Sequence, residues 1–111
     1  MTRRKLSPAP DVGSALAIFG SQVQIARTRL GLTAEELGDR VGVSARTVRS
    51  VEKGEPNPNI GNAFAVALAA GVDLFGTGSR ETRAELAEGH RQTVQLLPQR
   101  VTRADLGDVG F

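Results

Sequence analysis

Leu16, Phe19, Val23, Ala26 and Leu30 recur at spacings of three and four residues, the period of one helix face. Gly20 interrupts that face, which predicts a helix over residues 21–30 with residues 15–19 as a separate turn. Arg27 and Arg29 suit the dipole of its last turn, and Gly31 followed by Leu32 has the form of a glycine C-cap. Thr33-Ala34-Glu35-Glu36 is a capping box opening a second helix to residue 41, with Ala34, Leu37 and Val41 inward. Gly42 ends it, and Ser44 caps a third helix from Ala45 to about Lys53, with Val48 and Val51 inward. Gly54 and Glu55-Pro56-Asn57-Pro58 read as a rigid loop. Asn59 then caps a fourth helix over residues 60–70, whose predicted buried face is Ile60, Phe64, Ala67, Leu68 and Gly71.

Beyond Gly71 the pattern is weaker. Residues 72–75, between glycines, fit either a short strand or one helical turn. Arg80 to about Leu97 reads as a further helix with Leu86, His90, Val94 and Leu97 along one side, and Glu81, Glu85 and Glu88 as a solvated face. The predicted organisation is a flexible basic arm over 1–13, a helical domain over 14–76, a C-terminal helix over 77–97 and a flexible tail over 98–111.

Composition narrows the function classes. A chain of 111 residues accommodates one domain with tails. The absence of cysteine excludes disulfides, thiolate metal sites and Cys nucleophiles, and His90, the lone histidine, excludes a two-histidine metal site. Neither a phosphate-binding loop nor a dinucleotide fingerprint is present. His90 has no Ser or Asp at a spacing that would orient it as a base, so no enzyme and no cofactor is expected. No apolar run reaches the ~18 residues of a membrane span, and the basic start Thr2-Arg3-Arg4-Lys5 is not followed by an apolar stretch. A soluble cytoplasmic protein without membrane contact is therefore expected. Net charge is +2 and is unevenly placed: +2 over residues 1–13, +1 over 14–60 and −1 over 61–111. Without Trp or Tyr the chain lacks the stacking platforms used on single-stranded nucleic acid.

The informative segment is residues 34–53, AEELGDRVGVSARTVRSVEK. Two short helices joined by a three-residue turn cross steeply. Such a crossing needs a small residue early in the first helix, supplied by Gly38, and a left-handed turn residue, supplied by Gly42. It also needs apolar inward positions, and Leu37, Val41, Val43, Val48 and Val51 meet them. The segment reads as a helix-turn-helix.

Gly31-Leu32-Thr33, Glu36-Leu37, Gly42-Val43-Ser44, Thr47-Val48 and Glu52-Lys53-Gly54 resemble the five-helix lambda-repressor-like class, the Cro/C1 or xenobiotic-response-element type, over roughly residues 19–76. The resemblance implies an all-α DNA-binding domain. Two positions depart from it: Ala34 stands where members usually carry a phosphate-contacting Gln, and Gly38 where many carry Ala. With Val48 and Val51 inward, the third helix offers Ala45, Arg46, Arg49, Ser50 and Lys53 to solvent. In this class that helix lies in the major groove of double-stranded DNA. Arg46 and Arg49 suit the O6 and N7 of guanine, Ala45 suits a thymine methyl, and Ser50 completes the base-reading set. By resemblance Thr33, Ser44, Thr47 and Lys53 are phosphate contacts, and Arg27 with Glu52 is a structural ion pair between the first and third helices.

One motif covers about half of a two-fold operator, so a homodimer is expected. The second half of the chain resembles the HipB-like antitoxins of HipA-type kinase toxins, in the run after helix four, the short charged helix and the tail. That resemblance implies autorepression of an operon, strands after helix four that pair across a dimer, and a kinase toxin as partner. Leu106, Val109 and Phe111 are the tail's candidate anchors on such a partner. The alternative is a stand-alone transcriptional regulator of the same fold; an adaptor that binds protein instead of DNA fits the basic third-helix face less well.

Overall fold

Proline is well suited to a helix start, where its missing N–H forfeits no bond and its φ is already helical. In the computed structural model, which describes residues 8–101, α1 begins at Pro10 and runs to Arg29, with Asp11 in its first turn. The helix thus starts well before Ser21, and residues 10–13 belong to it rather than to an arm. Gly20 does not break it. That glycine is buried, and a Cβ built there would lie 2.5 Å from the main-chain oxygens of Val51 and Glu52. Gly20 is where the backbone of α1 meets the end of another helix. At the far end of α1, the Gly31 N–H donates to the Thr28 carbonyl at 3.0 Å and the Leu32 N–H to that of Arg27 at 3.2 Å. These two bonds are a Schellman termination.

The next three helices are α2 (Ala34–Val41), α3 (Ala45–Glu52) and α4 (Ile60–Ala70). Each starts on a side-chain cap: Thr33, Ser44 and Asn59 accept from the N–H groups of Glu36, Thr47 and Asn62. The Thr33 cap is reciprocal, because Glu36 Oε1 accepts from the Thr33 N–H at 2.9 Å. With these ends pinned, α2 packs on α3 and α4, and α1 packs on α3 and α4. Val23, Leu37, Val48 and Val66 are fully buried between them, with Ala34, Val51, Ala67, Ala70 and Leu74 completing the core.

The buried face of α4 differs from the predicted one. Val66, Ala67 and Ala70 are buried, whereas Ile60 is 70% and Leu68 40% exposed. Nearly every residue of this helix is apolar, so its sequence carries no sidedness, and packing against α2 decides the rotation. Leu30, at the very end of α1, is also exposed.

The described residues fall into two units divided between Leu74 and Phe75, two residues earlier than the expected boundary after residue 76. Residues 72–75 do not form a strand. Leu74–Gly76 makes a short 3-10 turn in which Phe75 has φ 63°, and no strand occurs among the described residues. Positive φ at Phe75, Gly76 and Gly78 prevents an extended run here. In the second unit, α5 (Arg80–Gln95) starts on Ser79, whose hydroxyl accepts from the Thr82 N–H at 3.0 Å. Arg83 reaches the Thr77 hydroxyl, and Glu88 pairs with Arg91 one turn on. None of the residues of α5 is buried. No helix among the described residues is long and apolar enough to cross a membrane.

Candidate nucleic-acid interface

Two helices this short cross steeply only if the turn between them is compact. Gly42 takes a left-handed backbone, φ 76° and ψ 30°, and the Val43 N–H closes back on the Gly38 carbonyl at 3.0 Å. The same crossing explains Gly38. A Cβ there would stand 2.5 Å from the Val43 carbonyl oxygen, so the turn folds directly over it. Ser44 then caps α3, its Oγ accepting from the Thr47 N–H at 3.1 Å.

With Val48 and Val51 turned into the core, α3 exposes Arg46 and Arg49 on its outer side, and its C-cap Lys53 is exposed beside them. A polar cleft of about 750 Å³ runs along that side, and Arg46, Thr47, Arg49, Ser50 and Lys53 all line it. Two cations of an eight-residue helix and a third at its C-cap, Lys53, therefore line one cleft. Ala45 is half-buried and packs against the core rather than standing clear of it. Thr33 and Ser44 accept helix-cap bonds on their hydroxyl oxygens, and Ser44 Oγ also lies 3.1 Å from Thr47 Oγ1. Neither Thr33 nor Ser44 nor Ala45 lines the cleft.

The opposite wall of the cleft was not anticipated. Glu55, Asn57, Asn59 and Asn62 line it, from the loop after α3 and the first turn of α4. The clustering of three asparagines within six residues was the available signal, but in sequence it reads as turn and cap chemistry. Asn59 does serve as a cap, its Oδ1 accepting from the Asn62 N–H at 2.7 Å.

Arg27 and Glu52 hold α3 at its angle. Arg27 Nε and Nη2 donate to Glu52 Oε2 and Oε1 at 2.5 and 2.9 Å, a bidentate pair, and Nη1 donates to the Leu32 carbonyl at 2.7 Å. The side chains are only 16% and 7% exposed. Hydrogen bonding to Glu52 raises the already high pKa of the guanidinium and outweighs the opposing desolvation. The pair lies beside the Gly20 contact, so α1 grips the last turn of α3 through main chain and charge together.

Arg49 also has a partner. Its Nη2 donates to Glu35 Oε1 on α2 at 2.5 Å, so the arginine expected to stand free for base contact is engaged across the motif. Among the described residues, no group of three or more His, Cys, Asp or Glu could hold a metal ion. Leu106, Val109 and Phe111, the candidate partner anchors, lie outside the described residues.

Residues 23–76 match the model of the helix-turn-helix family. A stretch of 45 residues is 47% identical to a curated relative from Methanothermobacter thermautotrophicus described as an uncharacterized HTH-type transcriptional regulator. That stretch is 40% of this chain and 65% of the relative, so the match spans just under two thirds of the relative's length. No solved structure matches.

Proposed function

We propose, from the match of residues 23–76 to the helix-turn-helix family, that the protein is a sequence-specific double-stranded DNA-binding transcriptional repressor acting as a homodimer. The observation that carries this is the outer face of α3, where Arg46, Arg49 and Lys53 line one cleft while Val48 and Val51 anchor the opposite side in the core. Arg46 and Arg49 read guanine edges in the major groove. Lys53 and the Thr47 hydroxyl, with Ser44 and Thr33 at the starts of α3 and α2, meet phosphates. Ser50 lines the same cleft and completes the base-contacting surface. The description of the matched relative as an HTH-type transcriptional regulator supports the same role.

Selection of duplexes from a randomised pool by the full chain tests this directly. The expected product is a pseudo-palindrome with half-sites 10–10.5 base pairs apart, bound by two copies in light scattering. Failure to enrich any sequence over a scrambled duplex would refute sequence-specific binding. A site without two-fold symmetry, bound by one copy, would refute the dimer.

A narrower role as the antitoxin of a HipA-like kinase draws its support from the charge pattern of α5 and the apolar residues of 98–111. The strand pairing expected for it after α4 is not supported, because residues 74–76 form a 3-10 turn. Deleting residues 98–111 should leave operator binding nearly intact and abolish capture of a kinase from native extract. If full-length bait captures no kinase, the chain is a stand-alone regulator.

A further inference from the structure

The ion pair between Glu35 and Arg49 is an unusual use of a base-reading side chain. It ties the middle of α3 to the first turn of α2, fourteen residues away in sequence. The Glu35 carboxylate sits in the first turn of α2, where the backbone N–H of Glu35 and the Arg49 contact lower its pKa below the usual carboxylate range. Both side chains stay open to solvent, 51% exposed for Arg49 and 60% for Glu35. An exposed pair of this kind adds little to folding stability. Its consequences lie with what approaches the surface.

A guanidinium has five N–H donors in a rigid planar fork. Glu35 engages one nitrogen, Nη2, and leaves donors over for a base edge. An untethered arginine on a DNA-facing helix has a competing option: it swings to the nearest phosphate and gains the same affinity on every sequence. A carboxylate paired with it opposes that swing, because it attracts the guanidinium and repels phosphate oxygens. We infer that Glu35 is a specificity-determining residue, which positions Arg49 for a base edge and disfavours its use on phosphate. This rests on the DNA-binding function proposed above and extends it to a residue on the first helix of the motif that acts through Arg49.

Glu35→Gln keeps the shape and removes the charge, and the capping box at Thr33 and Glu36 does not involve it. The probes are a duplex selected by the wild-type chain from a randomised pool, its single-base-pair variants, and a scrambled duplex. The base pair read by Arg49 is the one whose preference Arg49→Ala abolishes. With Glu35→Gln, affinity for the scrambled duplex should rise about three- to tenfold. Discrimination at the Arg49 base pair should fall at least about fivefold, a part of the full value of a bidentate contact. Discrimination at the base pair assigned by Arg46→Ala should not change. In an Arg49→Ala background, Glu35→Gln should remove no further discrimination, and Glu35→Asp in the wild-type background should retain part of it.

Thermal melts confirm that each variant is folded. If the wild type discriminates and Glu35→Gln discriminates equally well, the inference is overturned and the DNA-binding function stands. If Glu35→Gln weakens selected and scrambled duplexes alike, or acts equally without Arg49, Glu35 is structural only and the inference is again overturned. If the wild type enriches no sequence, the DNA-binding function and the inference fall together.

Discussion

Replacing Gly20 by alanine sets two measurable effects against each other. Alanine is the better helix former by about 0.8–1 kcal/mol, and at an open helical position the substitution stabilises. At Gly20 the new Cβ would lie 2.5 Å from the carbonyl oxygens of both Val51 and Glu52 and 2.8 Å from the Glu52 carbonyl carbon. All three are main-chain atoms and cannot rotate away, so α1 and α3 must separate by roughly 1 Å to restore ordinary contact. Overpacking of this severity costs about 1–3 kcal/mol or more, and the separation also loosens Val23, Val48 and Val51. The net expectation is a loss of about 1–2 kcal/mol, lowering Tm by about 4–15 °C for a domain of this size. Gly13→Ala is the control. It lies in the same helix with nothing within 4 Å of its Cβ, and it should stabilise slightly. Urea unfolding of both variants against wild type gives the answer. A Gly20→Ala protein as stable as wild type, or more stable, would refute the close-approach account of this glycine.

Removing one partner of the Arg27–Glu52 pair leaves a nearly buried charge alone, so Arg27→Ala should cost about 3 kcal/mol, and Arg27→Met with Glu52→Leu should recover most of it in a double-mutant cycle. Glu36 is held below its usual pKa by the Thr33 N–H and hydroxyl, so its contribution is complete above the unfolded value of about 4.3 and is lost as pH falls through the lower folded value. Thermal melts should therefore be flat from pH 7 to about 5.5 and fall below about 4.5, with Glu36→Gln showing a shallower fall. Arg46→Ala should lower affinity for a selected duplex by about 1–3 kcal/mol and erase preference at one base pair, read by competition binding. Lys53→Ala should instead weaken selected and scrambled duplexes alike and reduce the salt slope by about one unit.

The helix-turn-helix was legible because its constraints are local. Gly38, Gly42, the caps at Thr33 and Ser44, and the spacing of Val48 and Val51 each state a requirement within a few residues. The start of α1 was not, since Gly20 carries the same letter whether it breaks a helix or lets another backbone approach. Only the position of α3 separates the two cases, and that depends on residues thirty positions away. In α4 the near-uniform apolar composition hid the buried side for a related reason, there being no polar stripe to mark solvent. The Glu35–Arg49 contact was invisible because charge on a solvated face has many geometrically equivalent partners. Asn57 and Asn59 were read correctly as loop and cap but not as cleft surface, since capping uses one amide atom and leaves the remainder of the side chain unassigned.

The eight-residue length of α2 and of α3 has a consequence for how long the protein lasts when it is not on DNA. Helices of that length do not hold in isolation, since nucleation alone outweighs the few bonds they form. The reading surface therefore exists only while Val48, Val51 and Leu37 are seated in the assembled core, and it vanishes in the same opening that exposes the chain to proteases. A bound duplex opposes that opening by mass action, about 2.7 kcal/mol at a hundredfold excess over Kd. Copies seated on a target would be cleared from a cell about a hundredfold more slowly than unbound ones wherever degradation follows the open population.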